Sequence, residues 1–557
     1  MGIDTDSPPA DDPAPSGRTD YCFLALFCVL FLGFRTPLLY RQAGGMDEAD
    51  YAVPGCTILQ EGIPRIPYNP SRNTAGYFYR ADEALFLLPP LYFYWQAAFY
   101  TVLPPGYGTA RLASAVAAVL AIVLIYFLGR RLTGDRAVAL WGAGLFSISR
   151  VCFFPAMSAR PDMLCGMIGL AAVAAFLRWR DTARYGWLLA TSLLLGLGGL
   201  THPFALVYAI QIGVGVVLCG GPLSRRFRDL GVLVTGAGLV FSLWLILIVP
   251  RYEVFRIQFF NNVLARSGPG LLERCLWPWE AIAWQTRLIL EHAGPLQVGL
   301  MFGGLLAATV FAKREGVGSL FPYRPHRRRI SPARSAADTE KDSRPPCAPG
   351  MAALLALSWS SVYLLVACQG MHSSKGYWCY PGAWMFLCVG WCVVRIGRKG
   401  RQVGQRHRFS PRAWRWAEAL GAAGLLLLML PGSGIRALAA HVVYWERPSY
   451  RAGQFTERLL AEVPRDARVV VDTAYALPFY LDGRSVILAG CYDLRAPEDY
   501  LPYDYYIAGP ESLDKGFPGK LGARRIKRFG DPDDVFACYA ELYEPPGTTE
   551  PSTGKNR

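Results

Sequence analysis

Charge is scarce in this chain. Lys, Arg, Asp and Glu make up 18% of its 557 residues, and 52% of the sequence is hydrophobic; soluble proteins carry about 25% charged residues. With a mean hydropathy of +0.22, the shortage excludes an ordinary soluble globule and points to a polytopic membrane protein. Acidic residues are scarcer still, 42 against 57 basic ones, a net charge of +15. Such a surplus would suit nucleic acid, but the basic residues fall in short blocks between apolar runs. That is the pattern of cytoplasmic loops and argues against a nucleic-acid partner. Metal-ligand spacing is also missing among the 14 cysteines. Most of them, such as Cys165, Cys368 and Cys388, lie in apolar segments and read as small buried hydrophobes, while Cys491 and Cys538 are candidates to pair in an oxidising compartment. No small-residue cleavage site follows the first apolar run, so that run reads as an anchor and not a signal peptide.

The apolar runs predict an all-α polytopic protein of about eleven spans: 21–40, 110–130, 135–154, 163–179, 186–201, 203–219, 230–249, 295–312, 350–368, 381–396 and 417–435. Residues 1–19, rich in Pro, Asp and Ser, read as a disordered cytoplasmic N-terminus, and 546–557 as a disordered tail. The run 84–103 contains Pro89-Pro90, ends in Pro104-Pro105 and is crowded with aromatics, so it is expected to lie in the interface. Every later basic block, including the loop 313–349, then falls on the cytoplasmic side. The transmembrane part would occupy 20–440, with 41–109 as its first external loop. Beyond residue 445 short apolar runs alternate with helical segments, as in ARVVVD, SVILAG and DYYIAG. They predict a small extracytoplasmic α/β domain over 445–545.

Candidate chemistry collects at the external span ends. Asp47-Glu48 follows the first span within a few residues, and Asp162, beside Arg160, closes a very short second loop. Charged groups at a membrane boundary are costly unless they act, and two carboxylates on one face suit a shared base role or a divalent cation held by Asp47 and Asp162. In MHSSKGYWCYPGAW, Lys375 stands among Tyr377, Trp378 and Tyr380, an ammonium placed where a lipid phosphate would sit. Arg251, His202 and Arg111 are further external-face candidates. Each has a plainer reading: a snorkelling arginine, a helix-end cap, a residue that merely opens a span.

The ordered set DEADY, PPLYFYW, RLAS, ARPD and SKGYWCYP resembles the bacterial branch of the GT-C glycosyltransferases, relatives of the protein O-mannosyltransferases and of the aminoarabinose transferase that modifies lipid A. The resemblance covers roughly residues 20–400. It implies a GT-C fold, a polyprenyl-phosphate-linked sugar as donor, and an active site facing away from the cytoplasm of an inner-membrane enzyme. It also implies that Asp47 is the essential acid, that Asp162 shares its cavity, and that Lys375 lies near the donor phosphate. The chain departs from the family where a Glu-Lys pair precedes the double proline. It has YRADEALFLLPP, with Arg80 or Glu83 as the candidate substitutes, and His202 replaces a lysine near THPF.

The expected reaction is inverting transfer of a sugar to an acceptor hydroxyl or phosphate on a protein, lipid or glycan. Asp47 acts as base, and Lys375 with Arg251 balances the phosphate. A transporter or flippase of a lipid-linked precursor would instead bury its charges mid-span or show internal repeats, and neither is evident; a non-catalytic scaffold with an external binding domain is the third class.

Overall fold

The computed structural model describes residues 17–45, 47–219, 222–265, 270–314, 349–407, 410–492 and 501–546. The expected disordered tail, most of the expected disordered N-terminus and most of the basic segment 313–349 lie outside the described residues; Gly17 already begins the first helix, Gly17–Arg41.

Among the described residues, seven helices are long and apolar enough to cross a membrane, or eight if the bent pair Arg136–Ile148 and Arg150–Ala156 counts as one span. Tyr185–Thr201 and Ala205–Leu218 are apolar but shorter, and Pro411–Met429 covers most of the last expected span. The chain is thus a multi-pass membrane protein whose count by length and composition stops short of eleven. Some spans are longer than their apolar cores. The helix expected at 230–249 belongs to a helical stretch from Leu223 to Val263, carried past Pro250 by 3-10 turns at Ser242–Trp244 and Val249–Arg251. Cys379–Arg406 continues through the basic residues expected to form a loop.

Two breaks have local causes. The bent pair turns by 56° at Ser149, whose hydroxyl accepts from the Cys152 N–H at 3.3 Å and caps the second helix while the first ends. The helix Trp279–Arg314 is interrupted at Gly294, which takes φ 78°, just before Pro295, a left-handed position that glycine adopts without penalty.

The first loop carries the helix Glu48–Glu61, closed by Gly62 in the left-handed conformation, and the shorter helix Leu91–Tyr100. Only the second half of the expected interfacial segment is helical, because Pro89-Pro90 delays the start. That segment is also more buried than expected, with Phe86, Leu88, Tyr92 and Phe93 all inside.

The C-terminal region forms a five-stranded mixed sheet in the order β2-β1-β3-β5-β4, from β1 (Arg468–Val471), β2 (Ser485–Leu488), β3 (Tyr505–Ala508), β4 (Arg524–Phe529) and β5 (Ala540–Glu544). β1 runs parallel to β2 and β3, and β5 antiparallel to β3 and β4. The outer strand β4 is exposed and basic, with Arg524 on Glu544 and Lys527 on Glu462, which protects an edge from adding a strand.

This sheet domain does not stand apart. The Gly44 N–H donates to the Ala474 carbonyl at 3.2 Å and the Leu488 N–H to the Tyr68 carbonyl at 2.8 Å, and the Tyr107 hydroxyl donates to the Thr473 carbonyl at 2.6 Å. Cys491 lies 2.9 Å from Asn69 Oδ1. Cys491 and Cys538 are both buried and are not joined by a disulfide, so the pairing considered from the sequence does not form.

Candidate active site

The cavity that holds most of the sequence candidates measures about 750 Å³ and is lined by residues of the first loop, the second loop, the 200–206 turn and the 368–377 loop. Asp47, Glu48, Arg160, His202 and Lys375 all lie on its wall.

The two adjacent acids have opposite surroundings. Asp47 stands at the N-cap of the helix Glu48–Glu61, where a negative charge meets the helix dipole favourably, and its side chain is 42% exposed. Glu48 is buried and fully engaged. Arg111 Nε and Nη2 donate to it at 2.7 and 2.5 Å, and the Gly45 and Ala159 N–H groups add bonds of 2.8 and 2.9 Å. Arg111 spends its remaining donors on the carbonyls of Leu39, Gln42 and Ala43, at 2.9, 2.9 and 2.6 Å. Arg111 is therefore not on the cavity wall; with Glu48 it ties the end of the first helix to the first and second loops.

Arg160 is the hub of the site. Its Nε donates to Asp162 Oδ2 at 2.7 Å, its Nη2 to the Ser374 hydroxyl at 2.7 Å, and its Nη1 pairs with Asp47. One planar guanidinium thus joins the first loop, the second loop and the lysine loop, a task for which its fixed fork suits it. Asp162 is fully buried and absent from the lining. The 376 position leaves no room for a larger residue, because a Cβ on Gly376 would come within 2.9 Å of Asp162 Oδ2. The expected cation site does not fit this arrangement. The guanidinium already joins Asp47 and Asp162, and no group of three or more His, Cys, Asp or Glu suited to a metal occurs among the described residues.

Lys375 precedes the 3-10 turn Gly376–Trp378 and faces the same cavity. Among the described residues it makes no ion pair. His202, in the connection between two helices, packs against Phe204 and Tyr377 at ring distances of 5.2 and 5.0 Å, and its Nδ1 accepts from the Phe204 N–H at 3.2 Å. Burial pushes its imidazole down to about 4, against the pull of Asp162, so at neutral pH it offers a polar ring and no charge.

Four further candidates fall elsewhere. Tyr380 is buried beneath the cavity, against Tyr208 and Phe204 at 6.1 Å each. Arg251 is not on the wall; it adds to the positive field on Glu83, whose carboxyl is held below its usual range first by Arg80. Arg80 and Glu83 bond each other at 2.7 Å and do not reach the cavity. Conversely, Arg274, Ser374 and His372 line it without having been singled out. Ser374 adjoins Lys375 in sequence, which was a usable signal. Arg274 is a single basic residue in LLERCL, with nothing local to mark it.

The comparisons with known proteins agree with this architecture. The family model described as dolichyl-phosphate-mannose-protein mannosyltransferase matches residues 88–250. Among solved structures, ArnT from Cupriavidus metallidurans bound to undecaprenyl phosphate superimposes with a TM-score of 0.57 at 16% identity, covering 95% of this chain and 98% of that one. Its apo state gives 0.55 at 15%, covering 94% and 98%. The archaeal oligosaccharyltransferase AglB from Archaeoglobus fulgidus, in complex with an inhibitory peptide and a dolichol-phosphate, gives 0.50 at 12%, covering 89% and 70%. No curated protein matches by sequence.

Proposed function

We propose that this chain, a membrane protein with the GT-C glycosyltransferase fold, transfers a sugar from a polyprenyl-phosphate carrier to an acceptor hydroxyl or phosphate on a protein, lipid or glycan. The observation that carries the reading is that Asp47 and Lys375 open into one cavity, the acid half-exposed and the lysine facing the same space. The carrier phosphate is the leaving group, so the protein must hold it, orient the acceptor and take a proton. Lys375 balances the phosphate, with Arg274, which lines the same cavity, contributing positive field. Asp47 takes the acceptor proton as the acceptor oxygen attacks the anomeric carbon opposite the phosphate. The C–O bond to phosphate breaks, the configuration inverts, and polyprenyl phosphate leaves with the electron pair. Asp162 acts through Arg160, fixing the direction in which Asp47 points. The distribution of basic blocks favours an inner-membrane enzyme with a cytoplasmic N-terminus and with the cavity and sheet domain on the other face. The family match at 88–250 and the fold shared with a structure bound to undecaprenyl phosphate support the donor class.

The test is release of polyprenyl phosphate by the purified full chain given a polyprenyl-phosphate sugar and envelope acceptors. A positioned base contributes about 10²–10⁴-fold, and Asp47→Asn should lose activity on that scale. Activity within a few-fold of the parent protein would remove Asp47 from the role.

A further inference from the structure

Among the described residues, Arg35 and Arg150 lie in the helical bundle without a carboxylate partner. Arg35 is 6% exposed, about 9 Å from the end of the first helix at 1.5 Å per residue. Its Nη2 donates to the Ser147 carbonyl at 3.1 Å, and its Nε is buried with no partner. Arg150 opens the second half of the bent pair, about 21 Å along that span from Arg136. Among the described residues its guanidinium makes neither an ion pair nor a hydrogen bond. Both arginines lie over the ring of Phe153, with Cζ 4.7 Å from its centre for Arg35 and 5.4 Å for Arg150.

The surroundings fix this pair and add to it. The Arg150 N–H is fixed by Gln297 Oε1 at 2.9 Å. Gln297 in turn donates to the carbonyls of Met429 and Pro431, at 2.9 and 2.5 Å, so three segments are stapled around the bend. His292 sits edge-on to Phe154 at 5.1 Å, and its Nε2 is a second buried nitrogen with no partner. Phe154 also lines the central cavity, so the cluster lies one aromatic ring away from it. On the outer side Leu296 and Leu430 are exposed, as expected of side chains that meet acyl chains. Charged groups within a span are rare and take a partner or a substrate. Among the described residues the protein supplies two guanidiniums, an imidazole and aromatic faces here, with the Ser147 carbonyl on Arg35 and no carboxylate.

We propose that Arg150 and Arg35, with His292 beside them, form a second anion site that takes the phosphate of a membrane lipid, separate from the phosphate position beside Lys375. Its guanidiniums offer the planar donors that suit phosphate oxygens. The inference rests on the general charge pattern of the bundle; the proposed transfer reaction enters only through the first lipid, at Lys375.

Counting bound lipids tests it. The full chain in detergent is titrated with undecaprenyl phosphate, with phosphatidylglycerol, or with phosphatidylcholine as a zwitterionic control, and native mass spectra report lipids bound per chain. Arg150→Met should lose one anionic lipid, with affinity for it falling about tenfold or more. Arg150→Lys should bind it more weakly than the parent protein but more tightly than Arg150→Met, since charge is retained while the planar fork is lost. Lys375→Ala should lose the other lipid and leave this one. Preference for undecaprenyl phosphate would identify the carrier as occupant, and equal binding of phosphatidylglycerol would identify bulk anionic lipid; both support the site. Unchanged number and affinity in Arg150→Met, or equally tight phosphatidylcholine, would overturn it. Should Arg150→Met fail to fold, the same count on Arg35→Met decides. If Lys375→Ala changes nothing while Arg150→Met loses a lipid, the donor position is wrong and the second site stands.

Discussion

At the scale of single residues, the contrast between Asp47 and Glu48 separates chemistry from structure. Glu48 and Arg111 are both buried, and removing one partner of a buried ion pair typically costs about 3–5 kcal/mol, because the other charge stays behind unpaired. Glu48→Ala should therefore lower the melting temperature sharply and lose activity with it. Asp47 is half-exposed, and such pairs contribute about 0–1 kcal/mol, so Asp47→Asn should melt close to the parent protein while its transfer activity collapses. Thermal melts of the two variants in one detergent check the pair; a larger loss of stability in Asp47→Asn would reverse the assignment. The sequence placed both acids at a span end, and the boundary argument applied equally to each. What divides them is Arg111, 63 residues away in sequence from Glu48, and no local pattern announces that contact.

At the scale of elements, the 368–377 loop is positioned from behind as well as from the cavity side. Ser374 hangs on Arg160 Nη2, the Ser374 carbonyl accepts from Gln369 Nε2 at 2.5 Å, and Gly376 lies against Asp162. Gly376→Ala would place a methyl 2.9 Å from Asp162 Oδ2. That forces either the loop or the Asp162–Arg160 pair to move, and misplacement of about 1 Å can cost about 10²-fold in rate. The expected result is a loss of one to two orders of magnitude in transfer with the detergent melt lowered only slightly; unchanged kinetics would show that Asp162 does not set the geometry at Asp47. Much of the element pattern was legible, since apolar runs locate the helices, and ARVVVD, SVILAG and DYYIAG do become strands. The ends of elements were less so. The helix through Pro250 and the one running on to Arg406 continue past the hydrophobic stretch because helical hydrogen bonding does not require a lipid environment, while the break at Ser149 falls in mid-run because of a cap. Arg274 reached the cavity unannounced for a similar reason, as its placement depends on packing between distant helices.

At the scale of the whole molecule, the sheet domain and the first loop form one body, and Asp50 lies at their junction. Asp50 is buried and its Oδ1 has no hydrogen-bond partner. Burial holds its carboxyl well above the usual range; Glu511 on the sheet domain adds to this, and Lys515 works against it. Tyr68 lies within electrostatic reach of the same carboxyl. The docked state thus binds a proton that the unfolded chain releases near pH 4. With more protons bound in the native state, stability falls as pH rises above that value, until the native group itself titrates. Asp50→Asn keeps a neutral side chain of similar shape in place. It should raise the melting temperature at pH 7–8 and flatten the decline between pH 5 and 8, with hydrogen exchange slowing at Gly44 and Leu488, whose N–H groups span the junction. A variant with the same slope as the parent protein would show that Asp50 is ionised in the docked state and that another group carries the pH dependence. Because the helix that begins at Glu48 also contains Asp50, any loosening of the sheet domain is transmitted along one rigid element, about three residues from Asp47, to the cavity wall.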